Sequence, residues 1–401
     1  MKHIILLGDG MADEPIPMLG GKTPLQAART PYMDLLAREG RNGLLATIPA
    51  GFKPGSEIAN LSVLGYDVPK VFEGRGSLEA ASMGVPIEPG ELVLRCNLIT
   101  IEDDKIKNHS AGHISNAEAG ELIAFLQEKL GSDTVSFYPG VSYRHLIKIK
   151  GGNKAISTTP PHDVPGTPFR EVLVRAETPE ALPTADLLNE LILKSQALLA
   201  SHPVNLKRVQ AGKDPANSIW VWSPGYKPKM ETFQALYGKN GSVISAVDLI
   251  RGIGVYAGLK PILVEGATGL FNTNYEGKAQ AAIKALRNDD FVYVHVEAPD
   301  EAGHEGNVEL KIRTIEDFDS RIVGPIYEAV SAWDEPVAIA VLPDHPTPCR
   351  LKTHTNDPIP FLIWRPGIVP DSVEAYDEQS ARAGAYGTLK GDQFIQTFFA
   401  E

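Results

Sequence analysis

Three apolar runs in this chain each end in a carboxylate, and that repeated pattern restricts the fold more than any other feature. His3-Ile-Ile-Leu-Leu7 leads into Gly8-Asp-Gly10. Asp290-Phe-Val-Tyr-Val-His-Val296 leads into Glu297-Ala-Pro-Asp300, and Val337-Ala-Ile-Ala-Val-Leu342 leads into Pro343-Asp344-His345. Short continuous apolar runs suit central parallel strands covered on both faces. Open α/β sheets place their ligands outside the carboxyl ends of such strands. The pattern therefore delivers Asp9, Asp300 and Asp344 to one edge. Residues 243–247 and 261–264 supply further short strands beside helical stretches. Thr30-Pro31 opens a helix through Arg38, with Gly40 and Gly43 closing it. This alternation predicts a doubly wound α/β domain.

A chain of 401 residues exceeds one compact core, so two domains are expected. The texture changes over about residues 82–222. That stretch holds Leu92-Val-Leu-Arg-Cys-Asn-Leu98, helical patterns over 115–130 and 185–200, and a Pro-rich loop over 159–168. Hinge-like segments flank it at Gly74-Arg-Gly76 and Ser223-Pro-Gly-Tyr-Lys-Pro-Lys229. The expected organisation is a discontinuous domain over 1–80 and 230–401, with a smaller α+β domain inserted over 81–229.

The formal net charge of −12, without any basic run, argues against a nucleic-acid partner. Cys96 and Cys349 are the only cysteines and form neither a disulfide framework nor a CxxC motif, which fits a reducing compartment. The run at 4–7 is far shorter than a signal-peptide core, and no stretch is long enough to cross a bilayer. A cytoplasmic protein with no membrane partner is expected.

Asp300 and His304 are four apart, which sets both on one face of a helix where they can share a cation. A surface pair has the same spacing, so position after an apolar strand is what favours a site. Asp344-His345 sits on a turn restricted by Pro343 and Pro346. His354 follows nine residues later in a polar loop. Together with Asp9 these residues make three carboxylates and three imidazoles, a donor set that suits Mn²⁺ or Zn²⁺ better than Ca²⁺. Two ions side by side would stabilise the attacking and leaving oxygens of a phosphoryl displacement. Ser56, in Pro54-Gly-Ser-Glu-Ile-Ala-Asn60, offers a nucleophile. Gly55 permits close approach, the following helix points its positive end at a phosphate, and metal binding can lower the hydroxyl pKa. A helix N-cap at Ser56 is compatible with that role.

In this order, Gly8-Asp-Gly-Met-Ala-Asp13, Pro54-Gly-Ser-Glu-Ile-Ala-Asn-Leu-Ser-Val-Leu-Gly-Tyr-Asp67, Ala298-Pro-Asp-Glu-Ala-Gly-His304, Pro343-Asp-His345 and Thr353-His-Thr-Asn356 resemble the 2,3-bisphosphoglycerate-independent phosphoglycerate mutases. The likeness is to their shorter archaeal-type branch, within the alkaline phosphatase superfamily, and it covers nearly the whole chain. It implies an alkaline-phosphatase-like sheet domain binding two divalent ions, with Mn²⁺ preferred and Zn²⁺ or Mg²⁺ as alternatives. It also implies an inserted substrate-binding domain, a small phosphorylated substrate, a phosphoserine intermediate and no bisphosphoglycerate. Carried over by position, Ser56, Asp9, Asp344 and His345 hold one ion, and Asp300, His304 and His354 hold the other. Arg144 becomes a clamp for a carboxylate or phosphate. Arg251 corresponds to a basic residue against the phosphate. His109 or His113 acts as acid or base, with Asp163 a further candidate. One departure stands out: Trp220-Val-Trp-Ser-Pro-Gly225 occupies a segment that contains Arg-Gly in the archaeal-type enzymes. A missing positive charge suits a substrate with one fewer anionic group, and the tryptophans resemble a related branch of the family that implies a second reading, a homoserine kinase-like phosphotransferase. No GxxxxGK[ST] sequence is present to support nucleotide binding.

Overall fold

The computed structural model describes residues 1–400 and divides into two compact units. One consists of Met1–Phe72 and the segment from Lys229 onward; the other is Glu73–Pro228. The first is built on an eight-stranded sheet of β1 (Lys2–Gly8), β2 (Arg41–Ala46), β3 (Gly241–Ile244), β4 (Lys260–Ile262), β5 (Phe291–Val296), β6 (Val337–Leu342), β7 (Ile359–Trp364) and β8 (Thr388–Lys390). Their spatial order is β4-β3-β5-β1-β6-β7-β2-β8. All neighbours run parallel except that β7 is antiparallel to both β6 and β2. A parallel neighbour would need a crossover connection, whereas β6 and β7 are joined by a loop. That loop carries Asp344, His345 and His354.

The three acid-ending runs become β1, β5 and β6, which are adjacent and buried along their whole length. Their registers match: Leu7 lies opposite both His295 and Leu342. The chain therefore leaves the sheet at the same level three times, and Asp9, Asp300 and Asp344 follow at one edge. Alternation decides what each face receives. Ile4, Leu6, Val292, Val294, Val296, Ile339 and Val341 join the core beneath helices Tyr275–Leu286 and Val308–Phe318. Tyr293 and His295 point to the opposite face, where the helix Ser56–Val63 lies; the Tyr293 hydroxyl donates to Asn60 Oδ1 at 2.5 Å.

The helix opened by Thr30-Pro31 runs Pro31–Glu39 and ends at Gly40, but Gly43 lies inside β2 rather than closing the helix. A Cβ on Gly43 would come within 2.9 Å of the Phe361 ring. Thr30 does not cap this helix with its side chain. The Asp319 carboxylate does so from a distance, accepting from Met33 N at 2.7 Å and Tyr32 N at 3.3 Å. Asp319 begins a π-helical turn, Asp319–Val323, between helices Val308–Phe318 and Gly324–Ser331.

In the second unit Glu91–Glu102 is the central strand of an antiparallel sheet. It pairs with Arg144–Lys150, Ser218–Gly225 and Lys105–Asn108, and Val135–Tyr138 adds to Arg144–Lys150. Helices Asn116–Leu130 and Leu182–Leu199 bury the apolar stripe expected of them, with Leu122, Ile123, Leu126, Leu188 and Ile192 in the core. Ser115 and Glu118 form a capping box at the first of these. The helix Arg75–Ser82 packs on Ser218–Gly225 within this unit. Among the described residues no helix is long and apolar enough to cross a membrane.

Candidate active site

Asp300 and His304 do lie one turn apart on a helix, Ala298–Glu305, with His304 Nε2 3.2 Å from Asp300 Oδ2. His354 joins them: its Nε2 is 3.4 Å from Asp300 Oδ1 and 2.9 Å from His304 Nε2. His304 Nδ1 faces Lys352 O at 3.0 Å, and a carbonyl only accepts, so Nδ1 carries the proton and the Nε2 lone pair of neutral His304 is free. Two ring nitrogens this close need a proton or a cation between them. Burial alone would raise the Asp300 carboxyl, but hydrogen bonds from His304 and His354 hold it well below its ordinary value. The same pairing lifts His304 to about 9.

Asp9, Asp344 and His345 gather directly beside this group. His345 Nε2 lies 3.6 Å from Asp9 Oδ1 and 3.5 Å from Asp344 Oδ2. Ligand atoms of Asp9, Asp300 and His345 all fall within 4.8 Å of one another, so the two clusters are contiguous. Burial, followed by the charges of Asp344 and Asp300, pushes the Asp9 carboxyl well above its usual range. Burial pushes His345 down, which keeps its imidazole neutral at pH 7. The Thr347 hydroxyl donates to Asp300 and stands 3.3 Å from His345 Nδ1, where it can accept that proton and turn the Nε2 lone pair toward Asp9.

Ser56 enters on a helix start, as expected, but Gly55 rather than Ser56 is the N-cap, and no side chain caps this helix. Its hydroxyl is used elsewhere: Oγ lies 3.2 Å from His345 Nε2 and 3.5 Å from Asp9 Oδ2. Asn60, one turn on, donates to Asp344 Oδ2 at 2.9 Å and to Ser56 O at 2.8 Å. Lys311, fully buried, donates to Ala12 O (3.1 Å), Asp13 Oδ2 (2.9 Å) and Thr347 O (2.8 Å), which bolts the loop after β1 to the loop after β6.

The donor set fits divalent ions. Two ligand atoms on one ion, each about 2.1 Å from it, stand roughly 3.0–3.4 Å apart. The separations above cluster around that range. Three buried carboxylates share the site with imidazoles of which His345 is fully buried, and Asp9 Oδ1 finds no hydrogen-bond partner. Such a concentration of buried negative charge calls for cations.

The remaining predicted residues separate. Arg251 belongs to the first unit, on the helix Asp248–Tyr256; it pairs with Asp248 and donates to Ala246 O at 3.2 Å and Ser245 O at 3.4 Å. His109, His113 and Arg144 all surround Tyr143 in the second unit, with ring separations of 5.8 and 6.2 Å for the histidines and 4.7 Å for the guanidinium. Asp163 lies beside them through His162, which is 3.5 Å from its carboxylate and 6.0 Å from the His109 ring. Burial lowers the His109 pKa, with His113 and Arg144 adding to the effect.

Sequence reasoning passed over Arg95. Arg95 is buried, pairs with Glu79 at 3.1 Å and stacks on Trp222 at 4.3 Å. Burial lowers it to about 10, and the charges of Arg75 and Arg144 act in the same direction. Its position inside the apolar run Leu92–Leu98 was the available signal. His295 was also passed over: its Nε2 sits 3.1 Å from Asp9 Oδ2, and burial takes it down to about 4. Trp220 and Trp222 are core residues, their indole N–H groups donating to Thr159 O at 2.8 Å and Asn97 Oδ1 at 3.2 Å.

Residues 37–205 match the family model described as 2,3-bisphosphoglycerate-independent phosphoglycerate mutase. A curated Methanosarcina acetivorans protein of that name is 56% identical over 398 residues, 98% of each chain. The solved structure of a Pyrococcus horikoshii protein superposes with a TM-score of 0.85 at 29% identity, covering 100% of this chain and 96% of that one. The cofactor-independent phosphoglycerate mutase of Thermoplasma acidophilum gives 0.69 at 28% identity, covering 100% and 99%. Identity above one half along nearly all of both chains leaves one conclusion: this chain belongs to the 2,3-bisphosphoglycerate-independent phosphoglycerate mutases.

Proposed function

We propose that the protein interconverts 3-phosphoglycerate and 2-phosphoglycerate by way of a phosphorylated Ser56, at a site that holds two divalent ions. The position of the Ser56 hydroxyl carries this reading: it rests on ligand atoms of His345 and Asp9 instead of capping its own helix. Ser56, Asp9, Asp344 and His345 hold one ion, and Asp300, His304 and His354 the other, with Mn²⁺ the best match to mixed carboxylate and imidazole donors. Bound there, the ions supply charge that lowers the serine pKa and stabilises the oxygens around phosphorus.

The protein's own groups then account for the exchange. Ser56 Oγ gives up its proton and forms a bond to phosphorus as the bond to the substrate O3 breaks, and O3 takes a proton. The glycerate reorients; its O2 hydroxyl loses a proton and bonds to phosphorus as the bond to Ser56 Oγ breaks, and Oγ regains a proton. Positive potential at the start of helix Ser56–Val63 favours the phosphoryl group throughout. His109, kept neutral by burial, is suited to carry the proton on the glycerate oxygen, with His113 and Asp163 beside it. Arg144 supplies guanidinium charge for the substrate carboxylate, and Arg251 does so for phosphate. The 56% identity to a curated phosphoglycerate mutase along nearly the whole chain favours phosphoglycerate over homoserine as substrate.

The test is turnover of 3-phosphoglycerate by purified protein with Mn²⁺ and no bisphosphoglycerate, followed by ³¹P NMR, with rapid quenching and mass spectrometry to locate phosphate on Ser56. A parallel arm with homoserine and ATP should stay blank. Ser56→Ala should lose at least about 10⁴-fold in turnover while still binding both ions. Full turnover in that variant would sink the reading.

A further inference from the structure

We infer that His295 is a direct ligand of the ion held by Asp9 and Asp344, a donor beyond the residues assigned above. The inference rests on the two-ion reading and deepens it. His295 occupies the next-to-last position of β5, opposite Leu7 of β1, and its side chain is 1% exposed. Strand alternation turns it to the same face as Tyr293, toward the helix that carries Ser56. Its Nε2 stands 3.1 Å from Asp9 Oδ2, yet the geometry there is not that of a hydrogen bond, and Nε2 finds no partner. Asp9 Oδ1 is equally without one. Two buried polar atoms left unpaired at neighbouring points are unusual unless something between them accepts their lone pairs.

A separation of 3.1 Å matches two donors bound side by side to one small ion, each about 2.1 Å away. One ligand atom each from Asp9, His295 and Asp344 falls within a mutual 4.8 Å. The far side of the ring supports the required tautomer. Ser245 Oγ lies 3.4 Å from Nδ1 and already accepts from Val247 N at 3.0 Å, so it is turned to receive the Nδ1 proton as well. That leaves a bare lone pair on Nε2. Lys278, itself buried, donates to His295 O at 3.0 Å and fixes the strand end that carries the ring.

The experiment compares wild type with His295→Gln, both loaded with Mn²⁺, by calorimetric titration and by pulsed electron paramagnetic resonance that counts directly bound imidazole nitrogens. Wild type should show four imidazoles for its two ions: His295, His304, His345 and His354. His295→Gln should show three, with one class of ion weakened by about 10–100-fold or more and the other unchanged. Wild type with two ions and only three imidazoles overturns the inference alone. So does a variant whose affinities match wild type. Wild type that takes up fewer than two ions overturns the two-ion reading, and this inference with it. Should His295→Gln fail to fold, the wild-type imidazole count still decides.

Discussion

Asp300, His304 and His354 meet where water reaches them, the histidine side chains being 35% and 21% exposed, whereas Asp9, Asp344 and His345 are sealed at 1% or less. The two clusters share a donor chemistry but manage charge differently. In the open cluster the carboxylate is met by imidazoles: pairing with Asp300 lifts His304 to about 9, and hydrogen bonds from His304 and His354 hold Asp300 well below its ordinary value. In the sealed cluster burial forbids that arrangement. The imidazole of His345 is driven neutral and the strain falls on a carboxylate, with Asp9 pushed well above its usual range. Solvent access, more than donor identity, separates a cluster whose carboxylate keeps its charge from one whose carboxylate burial drives toward the neutral form.

The largest effect expected from this contrast is at Asp9. Asp9→Asn should lower turnover on the order of 10³-fold or more, yet raise the melting temperature of the metal-free protein, because a buried carboxylate facing Asp344 and Asp300 is gone. The upward shift in melting temperature that Mn²⁺ gives wild type should shrink accordingly. A metal-free variant that melts below wild type would break the contrast.

Lys311→Met comes next. Losing the charge that joins the loops after β1 and β6 leaves the Asp13 carboxylate buried without its counter-ion, and should cost about 3–5 kcal/mol in urea unfolding. Both ions should weaken together, since the bolted loops support both clusters. His304→Ala, by comparison, should weaken one ion only, by about 10–100-fold, and excess Mn²⁺ should restore turnover. Calorimetry showing both ions weakened there would erase the distinction between the clusters.

Asp319 supplies the smallest effect and a control remote from either cluster. Burial lifts its carboxyl from 3.8 to about 6. The folded state therefore binds this proton more tightly than the unfolded state, so the contribution to stability is present below pH 4 and lost as pH rises to 6. Asp319→Asn lacks that loss. Its stability relative to wild type should climb by on the order of 2–3 kcal/mol between pH 4 and pH 6, with ion affinities unmoved. A flat difference would show that this carboxyl is not shifted.

Much of the sheet edge was legible because its chemistry is local. An apolar run followed at once by Asp9, Asp300 or Asp344 carries both the strand and the clustered carboxylate in one short segment, and His304 follows by helical spacing. What the chain keeps hidden depends on partners distant in sequence. His295 and Arg95 are polar residues within apolar strands, and only the facing layer reveals whether such a residue is a satisfied core group or part of a site. The true cap of the helix Pro31–Glu39 comes from Asp319, 286 residues from Met33, which no local rule anticipates. Ser56 looked like a cap because its neighbours suit one; Asp9 and His345, from two other loops, claim its hydroxyl instead. The reversed β7 escaped notice because strand direction is written in the connection, not in the strand.

The wide turn Asp319–Val323 has a consequence for how the helices on either side are phased. Upstream, rotation is fixed by the need to present Asp319 to the amides of Tyr32 and Met33; downstream, by Ile326 and Val330, which face the core. Each residue of a regular helix advances the side-chain direction by about 100°. Removing one residue between Asp319 and Gly324 would regularise the coil but leave one of those two obligations aimed the wrong way. The irregularity works as a gear change, letting one continuous rod satisfy two demands that an unbroken helix of the same length would set against each other.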